Sequence, residues 1–191
     1  MKTDIVIVGV GGQGTLLASR ILGALAQSSG VDVKVSEVHG MSQRGGSVVT
    51  YVRIGNDIAS PIVDFGSADY IIAFEEMEAM RAVSYLKKGG RIILSSGQID
   101  PMPVIIGDAK YPENLIEDLS AKCSLVVVDA MKLALEAGEA RSVNLVLLGV
   151  LCGILSGDVE KWHAAIRTCV PERFLEVNIK AFELGRNAGC A

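Results

Sequence analysis

The connection between the second and third predicted strands is only eight residues long, and it restricts the fold more than any other feature of this chain. The two strands are predicted at 33–38 and 47–54, where β-branched and apolar residues form runs. The segment 39–46 between them consists mainly of glycine and polar residues. A crossover between parallel strands needs a dozen or more residues, so these two strands are predicted to be antiparallel neighbours.

A strand, a glycine-rich turn and a helix open the chain. The apolar run 4–8 is typical of a strand buried on both faces of a parallel sheet, and 12–28 repeats apolar residues at helical spacing. The N–H groups at the start of such a helix point at the turn without backbone partners, which favours a bound anion. The turn has the spacing G-x-G-x-x-G, and the predicted anion site consists of Gly9, Gly11, Gly12, Gln13 and Gly14.

A nicotinamide or flavin site requires more than this turn. Glu37 stands about 20 residues beyond the glycines, where an acidic residue would hold the ribose. The same fold also requires the second strand to lead through a helix into a third parallel strand, which the short 39–46 connection does not permit. An independent NAD(P)-dependent enzyme is therefore a weaker alternative. The other interpretation of the glycine turn is a tight connection between strand and helix that binds no ligand.

The rest of the chain alternates predicted strands and helices. Strands are predicted near 70–74, 91–95, 104–106 and 124–128, and helices near 76–87, 112–121, 130–138, 143–155, 158–168 and 172–187. In the helix 143–155, Gly149 and Gly153 have a spacing that suits close helix packing. We predict one domain over 1–191, a three-layer α/β/α sandwich around a mixed, mainly parallel sheet, which is a variant of the Rossmann fold.

Charge and composition exclude several classes of partner. The net charge is −4 and the 18 lysines and arginines are scattered, so no nucleic acid is expected to bind. The longest apolar stretch, 145–155, is too short to cross a bilayer, and the first residues lack a signal-peptide pattern, so a cytoplasmic location is expected. The four cysteines are far apart in sequence and predict neither a zinc nor an iron–sulfur site. Half of the residues are hydrophobic, which indicates a partner surface and self-association of the isolated chain, for example as a homodimer.

The 39–46 connection is itself a candidate site, because it concentrates hydrogen-bond donors among glycines. Arg44 can make a bidentate contact with a phosphate or carboxylate, and two consecutive glycine amides can complete an anion nest. The predicted contacts are His39, Ser42, Gln43, Arg44, Gly45 and Gly46. The alternative is a solvated hairpin turn.

Three further residues each have two interpretations. His39 either moves protons near pH 7 or holds its loop by a hydrogen bond. Glu75 follows the strand 70–74 directly, so it either faces a ligand at the carboxyl edge of the sheet or caps the first turn of the next helix. Asn144 is expected to be a helix N-cap or a packing residue. No catalytic residue and no metal ligand is assigned.

Four segments, 9–14, 37–46, 144–149 and 171–182, together resemble the gamma-type subunit of 2-oxoacid:ferredoxin oxidoreductases. The resemblance covers essentially the whole chain and extends to the beta subunit of indolepyruvate ferredoxin oxidoreductases. It implies the fold found in domain III of pyruvate:ferredoxin oxidoreductase. Enzymes of this family decarboxylate a 2-oxoacid oxidatively on thiamine diphosphate, pass electrons through iron–sulfur clusters to ferredoxin, and release an acyl-coenzyme A.

The resemblance implies an accessory role for this chain, inactive in isolation. Thiamine diphosphate, magnesium and the iron–sulfur clusters are expected in a partner subunit, and ferredoxin is expected to bind the assembled complex. Both glycine-rich loops are expected to meet at the carboxyl edge of the sheet and to face that partner. There they are expected either to contact the phosphates of coenzyme A or to line the wall near the thiamine. The second alternative is a regulatory module that binds a nucleotide or coenzyme A by itself.

A Gly-Asp…Asn pattern at Gly107, Asp108 and Asn114 superficially resembles the magnesium-diphosphate motif of thiamine enzymes. The family motif has roughly 25 or more intervening residues, whereas this chain has five. We therefore predict a polar turn there and assign no thiamine to it.

Overall fold

The computed structural model describes residues 2–41 and 45–190, so the predicted site residues Ser42, Gln43 and Arg44 lie outside the described residues. A six-stranded sheet with the order β2-β3-β1-β4-β5-β6 forms the middle layer. The strands are β1 (Thr3–Val10), β2 (Val33–His39), β3 (Ser47–Ile54), β4 (Ala68–Ala73), β5 (Leu86–Ser95) and β6 (Ser124–Val128).

Strand β3 is the reversed strand of this mixed sheet. It is antiparallel to β1 on one side and to β2 on the other, so that Val52 lies between Ile5 and Val35. Strands β1, β4, β5 and β6 are parallel to one another. The antiparallel pairing that the short 39–46 connection predicted is confirmed, and so is the mainly parallel character of the sheet.

Helices cover both faces of the sheet. They are α1 (Thr15–Ser28), α2 (Glu76–Ala82), α3 (Met102–Ile105), α4 (Leu115–Ser120), α5 (Ala130–Ala137), α6 (Val143–Leu155), α7 (Val159–Cys169) and α8 (Leu175–Gly189). Ile5 and Ile7 of β1 pack towards α1 and α5 to α8, while Val6 and Val8 pack towards α2 and α4. The three-layer sandwich is therefore confirmed. In the part of the chain that the structure describes, no helix is long and apolar enough to span a bilayer.

The strand predicted near 104–106 is wrong. This segment belongs to the short helix α3, which Pro101 precedes and in which Pro103 occupies the first turn. Proline lacks an N–H, which the first turn of a helix tolerates and a sheet ladder does not. Two of the three apolar residues that suggested a buried strand, Ile105 and Ile106, are exposed.

The helix predicted over 76–87 ends earlier than expected. Helix α2 stops at Ala82, a 3₁₀ turn follows, and β5 already begins at Leu86. Gly89 has a φ of +81°, and a Cβ on Gly90 would lie 2.9 Å from the Ala68 oxygen. The two glycines therefore allow an irregular strand start close to β4, where the sequence suggested a helix C-terminus.

The closest helix contact in the fold joins α6 to α8 through glycines. A Cβ on Gly149 would lie 2.0 Å from the oxygen of Phe182, and one on Gly185 would lie 2.0 Å from the oxygen of Val146. Gly153 and Gly189 extend the contact by one turn. The packing role predicted for Gly149 and Gly153 is confirmed, and the contact fixes the start of α6 beside the glycine turn.

Candidate functional site at the carboxyl edge of the sheet

The glycine turn after β1 is held in shape by the side chain of Gln13. Its Oε1 accepts the N–H of Val10 at 2.7 Å, and its Nε2 donates to the carbonyl of Phe74 at 3.1 Å. The side chain thereby ties the end of β1 to the end of β4. Because both functions of this amide are engaged within the fold, a ligand contact by Gln13 stays a prediction.

Gly14 is required for two separate reasons. It is the N-cap of α1 with a φ of 89°, in the left-handed region that favours glycine. A Cβ at this position would also lie 2.8 Å from Nδ2 of Asn144. The same Nδ2 donates to the Gly14 carbonyl at 3.3 Å.

Asn144 does not occupy the N-cap that the sequence suggested. Ser142 precedes α6, and Asn144 lies buried in its first turn. Its Oδ1 accepts the N–H of Leu145 at 2.9 Å, and its other end reaches Gly14. The packing role is therefore the correct one, since the side chain fastens α6 to the glycine turn.

The glycine turn and the 39–46 loop meet, as predicted. The N–H of Gly11 donates to the Gly46 carbonyl at 2.9 Å, and the N–H of Gly45 donates to the Gly11 carbonyl at 3.4 Å. The Gln13 N–H donates to the Val10 carbonyl at 3.2 Å. Amides of Gly11 and Gln13 are consequently used within the fold.

The N–H groups left for an anion belong to other residues of the same turn. Gly12, Gly14 and Thr15 donate to no backbone carbonyl in the described part of the chain. Two of these amides precede α1 and the third is in its first residue, where the helix dipole adds a partial positive charge. The predicted anion cradle is thus narrower than the sequence suggested.

A cleft of about 410 Å³ opens beside these amides. Its far wall is the end of β2, where Glu37 and His39 both line the cleft because residues two apart share a face. Thr50 donates its hydroxyl to Oε2 of Glu37 at 3.2 Å. From the sequence, the role considered for Glu37 was that of a ribose ligand. In the structure it lies across the cleft from Gly12 and Gly14.

His39 is exposed at the rim of this cleft. Its Nδ1 lies 3.0 Å from the carbonyl of Gly40, a contact that fits the loop-holding interpretation. Proton transfer by His39 stays a prediction.

The geometry of Glu75 is that of a helix cap. It is the N-cap of α2, its side chain is fully buried, and its Oε2 accepts the N–H of Glu78 at 2.9 Å. Its Oε1 accepts the N–H of Ile99 at 3.4 Å and the hydroxyl of Tyr111. Burial and the hydrogen bond to Glu75 raise the pKa of Tyr111 above its ordinary value. A ligand contact by Glu75 stays a prediction, since a ligand would have to displace this cap.

Sequence reasoning missed the buried carboxylate of Glu78. It accepts the hydroxyl of Ser47 at 2.5 Å and pairs with Nη1 of Arg81 at 2.5 Å. Ser47 is the first residue of β3, so the contact anchors the 39–46 loop to α2. The available signal was the placement of several glutamates directly after a buried strand. Acidic residues in the first turn of a helix are also favoured by the helix dipole when they are exposed, so this signal alone does not predict burial.

The Gly-Asp…Asn pattern does not fit a diphosphate site. Gly107, Asp108 and Asn114 are all exposed, and Asn114 directly precedes α4. A magnesium-diphosphate group requires converging oxygen ligands in a protected cleft. The polar turn predicted for this segment agrees with the structure.

The chain is similar in sequence to known proteins. The chain matches the family described as pyruvate ferredoxin/flavodoxin oxidoreductase over residues 4–188. Indolepyruvate oxidoreductase subunit IorB of Thermococcus kodakarensis is 44% identical to this chain, and that of Pyrococcus horikoshii is 43% identical. Each alignment covers 97% of this chain and 95% of the relative.

Solved structures share the fold. The gamma subunit of the keto/oxoacid ferredoxin oxidoreductase from Geobacter sulfurreducens matches with a TM-score of 0.73 at 24% identity, over 98% of both chains. A 2-oxoglutarate:ferredoxin oxidoreductase from Magnetococcus marinus, described with 2-oxoglutarate, coenzyme A and succinyl-CoA bound, matches with a TM-score of 0.73 at 18% identity. That match covers 99% of this chain and 31% of the larger one. The predicted fold class is confirmed by these neighbours.

Proposed function

The chain belongs to the pyruvate ferredoxin/flavodoxin oxidoreductase family, and we propose that it is the accessory subunit of a multi-subunit 2-oxoacid:ferredoxin oxidoreductase. The assembled enzyme oxidatively decarboxylates a 2-oxoacid to an acyl-coenzyme A and reduces ferredoxin, an iron–sulfur protein. The observation that carries the proposal is the 43–44% identity, over nearly the full length, to indolepyruvate oxidoreductase subunits. Indolepyruvate is therefore the proposed substrate, and the chain alone is inactive.

The partner subunit in this proposal carries thiamine diphosphate, magnesium and the iron–sulfur clusters, and ferredoxin binds the complex. The proposed contact surface is the rim of the cleft beside the glycine turn. Leu16 lines this cleft and is 45% exposed, and Met41, which follows His39 and Gly40 in the chain, is exposed completely. Exposed apolar side chains gathered beside a cleft are typical of a protein–protein contact. The cytoplasmic location expected from the sequence is part of the same proposal.

Within that assembly, the cleft is proposed to receive the phosphates of coenzyme A. The amides of Gly12 and Gly14 at the start of α1 support this, because they provide donors and a favourable dipole for an anion. Arg44 lies outside the described residues, and its part in the proposal rests on its charge and on its place between Met41 and Gly45. The fold neighbour from Magnetococcus marinus is a coenzyme A-bound enzyme, which supports the class of ligand.

Co-purification from the native host tests the subunit assignment. Affinity capture of the tagged chain should recover a large brown partner that contains thiamine diphosphate and iron–sulfur clusters. A colourless chain recovered alone would contradict the assignment and would favour either an independent NAD(P)-binding enzyme or a regulatory module. Saturable nicotinamide binding by the isolated chain then distinguishes the first of these from the second.

Replacement of Arg44 tests the coenzyme A contact separately. In the assembled enzyme, Arg44→Ala should raise the KM for coenzyme A by about tenfold, because a charge-assisted contact to phosphate is lost. The KM for the oxoacid should not change. Arg91→Ala is a matched control, since Arg91 lies beside the amino end of β6, where its Nε donates to Ser124 Oγ at 3.2 Å. Unchanged KM and kcat in Arg44→Ala would refute the contact.

A further inference from the structure

A second cavity lies at the same edge of the sheet, on the other side of the glycine turn. Its volume is about 480 Å³, within the usual range of small-molecule sites. The ends of β4 and β5 contribute Phe74 and Ser95, and α5 contributes Met131. It is separate from the cleft of Glu37 and His39, with which it shares Gly12.

The end of β5 contributes a polar side chain to this cavity. Ser95 is the last residue of β5, is only 4% exposed and lines the cavity. Its hydroxyl can both donate and accept a hydrogen bond, so it offers a polar contact to an occupant of the cavity.

Much of the cavity wall is apolar. Ile99, in the segment that follows β5, and Met131, on α5, both line the cavity and are 38% and 48% exposed. Phe74 contributes an aromatic edge from the end of β4. A flat or chain-like apolar body buries these side chains, and Met131 can adjust to its shape.

A cation lies at the rim. Arg141 lines the cavity from the 3₁₀ turn Ala140–Ser142, and its side chain is exposed. The neighbouring carboxylate of Glu139 is engaged with the backbone N–H of Arg141 at 3.1 Å. No carboxylate of the described residues lies within ion-pair distance of the Arg141 guanidinium. The guanidinium is therefore available for an external anion, in the planar geometry that matches a carboxylate.

We propose that this second cavity binds a small carboxylate with an apolar, ring-sized body. The carboxylate pairs with Arg141, and the body packs against the apolar side chains of Ile99 and Met131. The proposal concerns a site distinct from the coenzyme A cleft. It depends on this chain alone and not on its assembly with a partner.

Titration of the full isotope-labelled chain with 3-phenylpropionate tests the site, monitored by amide chemical shifts. We expect the largest shifts at Gly97, Ile99, Met131 and Arg141, with a Kd of roughly 1 mM for a ligand of this size. Two related probes separate the contributions. Propionate lacks the apolar body and 3-phenylpropanol lacks the charge, and each should bind about tenfold more weakly.

Two variants complete the test. Arg141→Gln should weaken 3-phenylpropionate about tenfold while leaving 3-phenylpropanol unchanged, because only the charged contact is removed. Arg167→Gln, at an exposed position in the last turn of α7, should change neither. Absence of binding, shifts confined to the cleft of Glu37 and His39, or equal binding in both variants would each overturn the proposal. None of these results would affect the co-purification experiment.

Discussion

Replacing Gly185 with alanine should lower the free energy of unfolding by about 3 kcal/mol, although alanine is the better helix former. The added Cβ would lie 2.0 Å from the oxygen of Val146 and 2.7 Å from its carbonyl carbon. These are backbone atoms of α6, so no side chain can rotate to make room. The two helices must move apart, which separates the apolar side chains buried around the crossing.

Gly23 provides the matched control for this prediction. It lies inside α1, and a Cβ there would meet no heavy atom within 4 Å. Gly23→Ala should therefore raise the free energy of unfolding by about 0.5–1 kcal/mol through helix propensity alone. Urea unfolding of both variants measures the difference. A Gly185→Ala variant as stable as the Gly23→Ala variant would contradict the close crossing of α6 and α8.

The same crossing positions the candidate site. Asn144 in the first turn of α6 donates to Gly14 at 3.3 Å, and α8 holds α6 in place along its length. A shift of α6 in Gly185→Ala should therefore also disturb the glycine turn. Amide shifts of Gly12 and Gly14 in the variant report this directly.

The reversal of β3 could be predicted from the sequence because it depends on chain length. Eight residues cannot form a crossover, whatever their side chains, so the segment 39–46 determined the pairing of β2 with β3. The buried parallel strands were equally predictable, since their apolar runs are continuous. The reversal of β3 follows from the length of one connection, and the parallel strands follow from their own apolar runs. Neither depends on contacts with distant parts of the chain.

The short helix α3 could not be predicted in the same way. Met102 and Ile105 in this helix are exposed, so the usual inference from an apolar run to a buried element fails there. The role of Glu75 was undetermined for a related reason. Its hydroxyl donor, Tyr111, is 36 positions away in sequence, and only the folded chain brings the two together.

In the candidate site, the meeting of the two glycine-rich loops was predictable and the use of their amides was not. The loops meet because β1 ends and β3 begins at one edge of the sheet. However, the pairing of Gly11 with Gly46 consumes an amide that the G-x-G-x-x-G spacing assigned to an anion. A backbone N–H in such a turn can donate either to a carbonyl of the chain or to a ligand. The spacing of the glycines alone does not show which of the two it does.

Removal of this chain from the assembled enzyme should have the largest functional effect. The purified partner subunit, assayed without the chain, should lose roughly 100-fold or more of its indolepyruvate-dependent ferredoxin reduction, as expected when a subunit that positions the reacting groups is absent. Adding the chain back should restore the activity with saturation at one copy per partner. The cause is the loss of the surface at the carboxyl edge, since the chemistry itself is proposed to occur in the partner.

A pair of surface variants locates that surface. Leu16→Lys places a charge on the exposed apolar wall of the cleft and should prevent restoration. Leu155→Lys makes the same kind of change at the far end of the 13-residue helix α6, about 20 Å from the glycine turn, and should restore activity fully. Neither side chain is buried, so both variants should keep the fold.

Reconstitution with the unaltered chain therefore tests the central claim most directly, by the rate of ferredoxin reduction with indolepyruvate and coenzyme A as substrates. The account predicts a rate near zero for the partner alone and full activity after addition of the chain. Equal rates with and without the chain would contradict it.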